Sequence, residues 1–229
     1  MCGRYVTPEA AAVERAWHIG RRDFDLFRPS YNVSPTAVVP ILRRTRDSSE
    51  LELTQARWGL IPAWAKDKSI GAKLINARAE QLAAKPAFRA ALKWRRCLVP
   101  MRGFYEWQHT PHGRAPHYVH LLNDDVFACA GLWERWQSPE GEKIASFTII
   151  TTDANALVSR LHDRMPAILA HADQEAWLDL NGEDERLAQL LAPYPPDEMA
   201  AYPVSVKVNN SRNDGPELIE PIAAPERVD

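Results

Sequence analysis

A cysteine stands at position 2, where removal of Met1 leaves a thiol and a free α-amine on one residue, a 1,2-aminothiol. The α-amine titrates near about 8 and a thiol near about 8.5. Both nucleophiles are therefore within reach at neutral pH, the thiol given a neighbouring base. An aldehyde meeting them forms a Schiff base with the amine, and the thiolate can then close a five-membered thiazolidine ring. Read the other way, Cys2 is a small side chain that packs inertly. Glu106 lies in the aromatic run Gly103-Phe104-Tyr105-Glu106-Trp107, where two-residue alternation turns it away from Tyr105 and Trp107, inward or into a cleft. A carboxyl group so placed takes a raised pKa and serves as general acid or base; on an edge strand it is an ordinary surface acid. His162, in His162-Asp163-Arg164-Met165-Pro166, falls at a helix end just before a strand, a junction where polar groups often face sites, although a lone histidine is more often structural. Asn76 follows Ile75 where a loop enters a helix and is expected to cap it.

The remaining metal-type residues carry less. Cys97 and Cys129 fall in apolar strands as packing residues, and three cysteines without metal-type spacing fit a reducing compartment rather than a disulfide framework. His109, His112, His117 and His120 are spaced closely enough to suggest zinc. No cysteine joins them, however, and Pro111 with Gly113 marks a hairpin loop, so neither metal nor cofactor is expected.

The chain has 229 residues, 28 basic against 30 acidic, and a net charge of −2. The average hides an asymmetry: Arg57 to Arg102 holds eleven bases and two acids, whereas Glu183 to Asp229 holds ten acids and four bases. Within the basic segment and just beyond it lie Trp58, Trp64, Trp94 and Trp107, and cations interleaved with flat rings suit single-stranded nucleic acid. A solvated basic face over buried tryptophans accounts for the same pattern. No window approaches the roughly 18 apolar residues of a membrane span, and no apolar stretch follows a basic start, which predicts a cytoplasmic protein.

These groups need elements to hold them. Thr7-Pro8-Glu9 reads as a helix start, with the helix running through Val13 and Trp17 towards Gly20. Strands are expected at 37–42, 51–58, 97–100, 103–108, 117–122, 126–133, 144–152 and 204–208. Helices are expected at 78–94, broken by Pro86, and at 154–161, 173–180 and 183–191. Without strand–helix–strand alternation the strands predict an α+β fold, mostly antiparallel, with a compact barrel-like core and flanking helices. No linker divides the chain, so 1–229 is expected to be one domain, with an acidic tail fraying from about residue 216.

The motifs occur together in a recognisable order. Met1-Cys2-Gly3-Arg4-Tyr5 is followed by Tyr31-Asn32-Val33-Ser34-Pro35, Arg57-Trp58-Gly59-Leu60-Ile61-Pro62 and Ile75-Asn76-Ala77-Arg78-Ala79-Glu80. Then come Arg96-Cys97-Leu98-Val99-Pro100, the Glu106 and His162 motifs, Val208-Asn209 and Asn213-Asp214-Gly215-Pro216-Glu217-Leu218. Over nearly its whole length the chain resembles the SRAP family, the SOS response-associated peptidases or abasic site processing proteins. The resemblance implies a protein, expected to be a monomer, that finds abasic sites in single-stranded DNA and shields them by a thiazolidine cross-link through Cys2, exposed when Met1 is removed. It also implies a possible strand-cleaving lyase activity and, for a DNA-bound pool, association with the nucleoid. Asn76 would hold the amine and sugar, Glu106 would shuttle protons, and His162 would stabilise the opened deoxyribose. Arg4, Asn32, Arg78, Thr151 and Arg164 would grip phosphates or backbone, while Pro35 and Trp107 would shape a wedge that splays the strand. Some relatives carry a second tryptophan after the position of Trp64; here Ala65 stands there, and Lys66, Lys68 and Lys73 follow. Two other functions compete: a hydrolase with Cys2 as N-terminal nucleophile acting on peptides or amides, and a plain single-strand binding module.

Overall fold

The computed structural model describes residues 2–23, 27–45, 48–111, 113–123, 126–180 and 184–222. In chain order the strands are β1 (Arg4–Val6), β2 (Arg21–Arg22), β3 (Val38–Thr45), β4 (Ser48–Trp58), β5 (Asn76–Arg78), β6 (Arg96–Met101), β7 (Gly103–Thr110), β8 (Gly113–Leu121), β9 (Phe127–Gln137), β10 (Lys143–Asp153), β11 (Arg164–Pro166), β12 (Ile168–Leu169) and β13 (Met199–Pro203). The helices are α1 (Ala10–Ala16), α2 (Pro86–Trp94), α3 (His171–Leu178) and α4 (Asp184–Leu190). Strands β10, β4, β3, β6 and β9 pair in that order, and β9 returns to β10, closing a five-stranded barrel. A second sheet, in the order β1-β7-β8-β13, packs beside it. The fold is α+β with mostly antiparallel pairing; β4 and β5 run parallel to β10, and β2 parallel to β4.

Both faces of the barrel wall are buried, so alternation sorts apolar side chains between two cores rather than between core and solvent. Cys97, Val99 and Met101 of β6 join Ile41, Cys129, Trp133, Phe147 and Ile149 in one cluster. Leu98 joins Leu42, Ala130, Leu132 and Ile150 in the other, against Phe88 of α2 and Trp177 of α3. Strand β1 is tied down by Tyr5, fully buried and edge-on to Trp58 with centroids 5.2 Å apart. Two glycines are required on the route to the site. Gly59 turns the chain out of β4 at φ +120°, and a side chain there would meet the Gly71 carbonyl at 2.6 Å. Gly103 opens β7 under the Tyr118 ring, 2.4 Å from where a Cβ would sit.

Several expected elements differ. The first helix starts at Ala10 with Glu9 as its N-cap residue, because Thr7 is engaged with the backbone of Ser30, its amide donating at 2.9 Å to the Ser30 carbonyl and its hydroxyl accepting from the Ser30 amide at 2.7 Å. Pro86 begins α2 instead of breaking it, since a first-turn proline sacrifices no helical hydrogen bond. The preceding residues form β5 and a 3₁₀ turn over Ala79–Gln81, so Asn76 is a strand residue and not a cap. In place of a helix at 154–161 there is one 3₁₀ turn, Val158–Arg160, organised by the Asn155 side chain, whose Oδ1 accepts from the amides of Leu157 and Val158 at 3.1 and 2.9 Å. The last strand is β13, while Val206–Asn209 is a 3₁₀ turn capped by Ser205. Residues 216–222 pack rather than fray: Leu218 is fully buried, the Tyr202 hydroxyl donates to the Ile219 carbonyl at 2.8 Å, and Ile222 donates to Pro203. Residues 223–229 lie outside the described residues. Among those described, no helix is long and apolar enough to cross a membrane.

Candidate functional site

Cys2 stands one residue before the start of β1, separated from it by Gly3, and β1 pairs with β7 so that Arg4 lies opposite Tyr105. That register carries Cys2 towards Glu106. The Cys2 side chain is fully buried, and burial raises its thiol pKa well above the ordinary cysteine range, with the Glu106 carboxylate adding to the shift. Glu106 itself is 2% exposed. Burial raises its carboxyl above the ordinary glutamate value, and Asp163 pushes the same way. The two groups are thus coupled through a low-dielectric interior in which both favour the protonated form.

Asn76 arrives from the other sheet. Strand β5 lies along β10 with Asn76 opposite Ile149, and the Trp58 indole fixes the approach by donating to the Ile75 carbonyl at 2.8 Å. From there the Asn76 Nδ2 donates to the Cys2 carbonyl at 2.8 Å. Its Oδ1 is buried and has no partner among the described residues. A carbonyl oxygen held in this way beside residue 2 is an acceptor waiting for a donor, and a free α-amine at Cys2 supplies one.

His162 follows the 3₁₀ turn, its amide bonded to Val158 at 3.0 Å. The Arg164 amide donates to His162 Nδ1 at 3.0 Å, and Asp163 Oδ1 lies 2.8 Å from the same nitrogen. Burial is the main cause holding its pKa below the ordinary histidine value.

The remaining sequence-predicted residues divide into interior braces and exposed groups. Arg164 is an interior brace: it donates to Asp153 at 2.6 Å, to Glu80 at 2.9 Å and to the Thr151 carbonyl at 2.7 Å. Thr151 is fully buried. Arg4 donates to Asn32 Oδ1 at 2.7 Å and to the Val208 carbonyl at 2.9 Å. Asn32 donates in turn to the carbonyls of Val208, Asn210 and Asn213, so this pair pins the 206–213 segment. Trp107 is half-buried, its indole donating to Asn209 Oδ1 at 2.7 Å. Pro35 is half-exposed and precedes Thr36, which has a left-handed φ of 76°. Arg78 is exposed.

The basic segment is partly absorbed by the fold. Arg95 pairs with Glu134, Lys68 with Glu142, and Arg96 is buried, while Lys66, Lys73, Arg78, Lys85 and Arg89 remain exposed. Trp58 is core, whereas Trp64 is 60% exposed above a cleft of about 430 Å³ shared with Lys66 and Lys73. Of the four closely spaced histidines, His117 and His120 meet backbone carbonyls, and His112 lies outside the described residues. Residue-by-residue reasoning missed Glu80, Asp153, Asp163, Asn209 and Asp214; all but Asp153 stand inside the motifs quoted above, which was the signal available. Asp214 accepts from the Tyr31 amide at 2.5 Å.

The arrangement has relatives. The chain is 47% identical over 196 residues to abasic site processing protein YoqW of Bacillus subtilis (strain 168), covering 85% of this chain and 87% of that protein. It is 35% identical over 235 residues to abasic site processing protein HMCES of Xenopus tropicalis, covering 90% and 69%. A crystal structure of a Bacteroides thetaiotaomicron protein superposes with a TM-score of 0.86 at 30% identity, covering 97% of this chain and all of that one. The family model described as SOS response associated peptidase (SRAP) matches residues 1–211, and the chain belongs to that family.

Proposed function

We propose that this protein captures abasic sites in single-stranded DNA as a covalent thiazolidine through Cys2, after hydrolysis of the Met1–Cys2 bond. The observation that carries the reading is the convergence of Asn76 and Glu106 on residue 2, with the Asn76 amide 2.8 Å from the Cys2 carbonyl. The names of the relatives, abasic site processing proteins, support the same substrate.

The chemistry balances without a cofactor. The α-amine adds to the C1′ aldehyde of the ring-opened deoxyribose and water leaves, giving an imine. The thiol then adds across the C=N bond, sulfur to carbon and its proton to nitrogen, which closes the ring. The amine attacks first and sulfur follows, because ring closure needs the imine carbon. Glu106, with its raised pKa, can give a proton to the departing hydroxyl and receive one back. His162, whose pKa burial holds below the ordinary histidine value, can accept from the sugar hydroxyl released on ring opening. An imine left open by sulfur is the species from which strand cleavage proceeds, so ring closure also suppresses a lyase side reaction. For DNA, exposed Arg78, Lys66 and Lys73 meet phosphates, Trp64 offers a stacking face, and Pro35 with Trp107 borders the strand. Arg4, Asn32, Thr151 and Arg164 act mainly by holding the walls.

Incubation with intact and abasic oligonucleotides, followed by a denaturing gel, tests the reading. A heat-stable adduct with the abasic strand alone is expected. Peptide turnover without an adduct would favour the hydrolase, and only dissociable binding would leave a single-strand binding module.

A further inference from the structure

A cleft of about 590 Å³ opens beside His162, bordered by His109, Asp153, Ala154, Ser159, Leu161 and Asp163. Its volume falls within the roughly 300–1,000 Å³ of small-ligand pockets. Nothing in the capture chemistry uses His109.

The lining selects its occupant. Two carboxylates face this space, each side chain 84% exposed, and a carboxylate is an acceptor only. They repel phosphate and welcome N–H donors. Asp153 is partly satisfied by Arg164 at 2.6 Å. Asp163 Oδ1 lies 2.8 Å from His162 Nδ1, yet its side chain is 84% exposed, so the carboxylate keeps lone pairs for an incoming donor. Ala154 and Leu161 supply apolar wall, and the His109 imidazole supplies a flat face of the kind on which unpaired bases stack.

Resting on the abasic-capture reading, we infer that this cleft is a nucleobase subsite, which receives a base flanking the lesion and prefers one with amino donors. Guanine presents N1–H and N2–H side by side, matching a carboxylate in bidentate fashion. Adenine and cytosine offer one amino group. Thymine offers a single N–H between two carbonyl oxygens, which the carboxylate disfavours. The order expected is guanine, then adenine and cytosine, then thymine, at one flanking position only. The protein thereby acquires a sequence-context preference without a base at the lesion itself.

The test uses the full chain and eight abasic oligonucleotides that differ only in the base immediately 5′ or 3′ of the lesion. Cross-linking rate at subsaturating protein and binding by fluorescence anisotropy are both measured. Guanine-flanked strands should exceed thymine-flanked ones by about fivefold or more, the lower range for one bidentate contact. The guanine-to-thymine ratio within one variant cancels any effect on the chemistry. It should fall to about one in Asp163→Asn, and also in Ser159→Trp, which fills the cleft from an exposed turn. Ratios within twofold for wild type at both positions overturn the subsite, as does a preference that survives Ser159→Trp. If no strand gives an adduct, capture fails as a function, while the anisotropy series still decides the base preference.

Discussion

Two buried charged side chains, Arg96 and Glu106, are both 2% exposed and have been given opposite surroundings. Arg96 donates to the carbonyls of Leu92 at 2.7 Å and Trp177 at 2.6 Å, and to that of Asp179, and its guanidinium lies 5.7 Å from the Trp177 ring. Those carbonyls belong to the ends of α2 and α3, where the helix dipole is negative. One cation therefore staples two helices to β6 while satisfying C-terminal carbonyls that the helices leave over. Glu106 sits where burial penalises its charge, next to a thiol penalised in the same way. The difference separates scaffold from chemistry: a group matched to its surroundings holds them together, and a mismatched group keeps a proton in play.

Substitution at the mismatched end should be the more drastic for activity. Cys2→Ala retains the amine but loses the sulfur, so at most a labile imine forms and the heat-stable adduct should vanish. Retention of that adduct, with Met1 normally removed, would exclude Cys2 sulfur from the ring. Stability should change little, since a thiol and a methyl are both small and apolar in effect.

Glu106→Gln keeps shape and removes the titratable proton. Single-turnover adduct formation should slow by roughly 10² to 10⁴, with strand affinity nearly unchanged. The pH dependence of stability sharpens the point. Glu106 binds its proton more tightly folded than unfolded. Its contribution is therefore full below the ordinary glutamate pKa and is lost as pH rises through the raised folded value. Wild type should lose stability across that window relative to Glu106→Gln in denaturant titrations. Parallel stability curves for the two proteins would place Glu106 among the matched groups.

The contrast explains what could be read in advance. Barrel strands were legible because β-branched and aromatic runs end at turn residues, and the family motifs named Cys2, Asn76, Glu106 and His162. What stayed hidden was partnership. Nothing near Arg164 in sequence says that Asp153, reached through the β10–β11 register, and Glu80, from the 3₁₀ turn after β5, would surround it. Asn76 looked like a cap because a local rule was applied where a long-range pairing with β10 decides the backbone. The acidic C-terminal segment looked unanchored because one buried leucine, Leu218, outweighs several exposed acids only once Tyr202 and Val204 are beside it.

At the matched end, Arg96→Met keeps the apolar stem and strands three helix-end carbonyls. A loss of about 3 kcal/mol is expected, or a melting temperature lower by about 6 to 12 °C for a chain of this size. The adduct rate measured well below the transition should stay close to wild type. A large rate loss without a shift in melting would mean that Arg96 communicates with the site and is more than a brace.

The smallest effect belongs to an exposed cation, which is neither matched nor mismatched by its surroundings. Arg78 follows Asn76 by two residues on β5 and points to solvent, so its charge is screened and its removal should barely alter folding. Against a single strand it releases counterions. Arg78→Ala should therefore reduce the slope of log affinity against log salt by about 0.7, the share of one phosphate contact on single strands. Arg164→Ala should behave differently, because it removes a buried brace and leaves Asp153 and Glu80 without their cation, which costs stability first. An Arg78→Ala protein with an unchanged salt slope would move the phosphate path to Lys66 and Lys73, beside Trp64. Equal salt slopes for wild type and for both of those lysine variants would remove the basic segment from DNA binding altogether, and with it the distinction between exposed charge that meets DNA and buried charge that shapes the site.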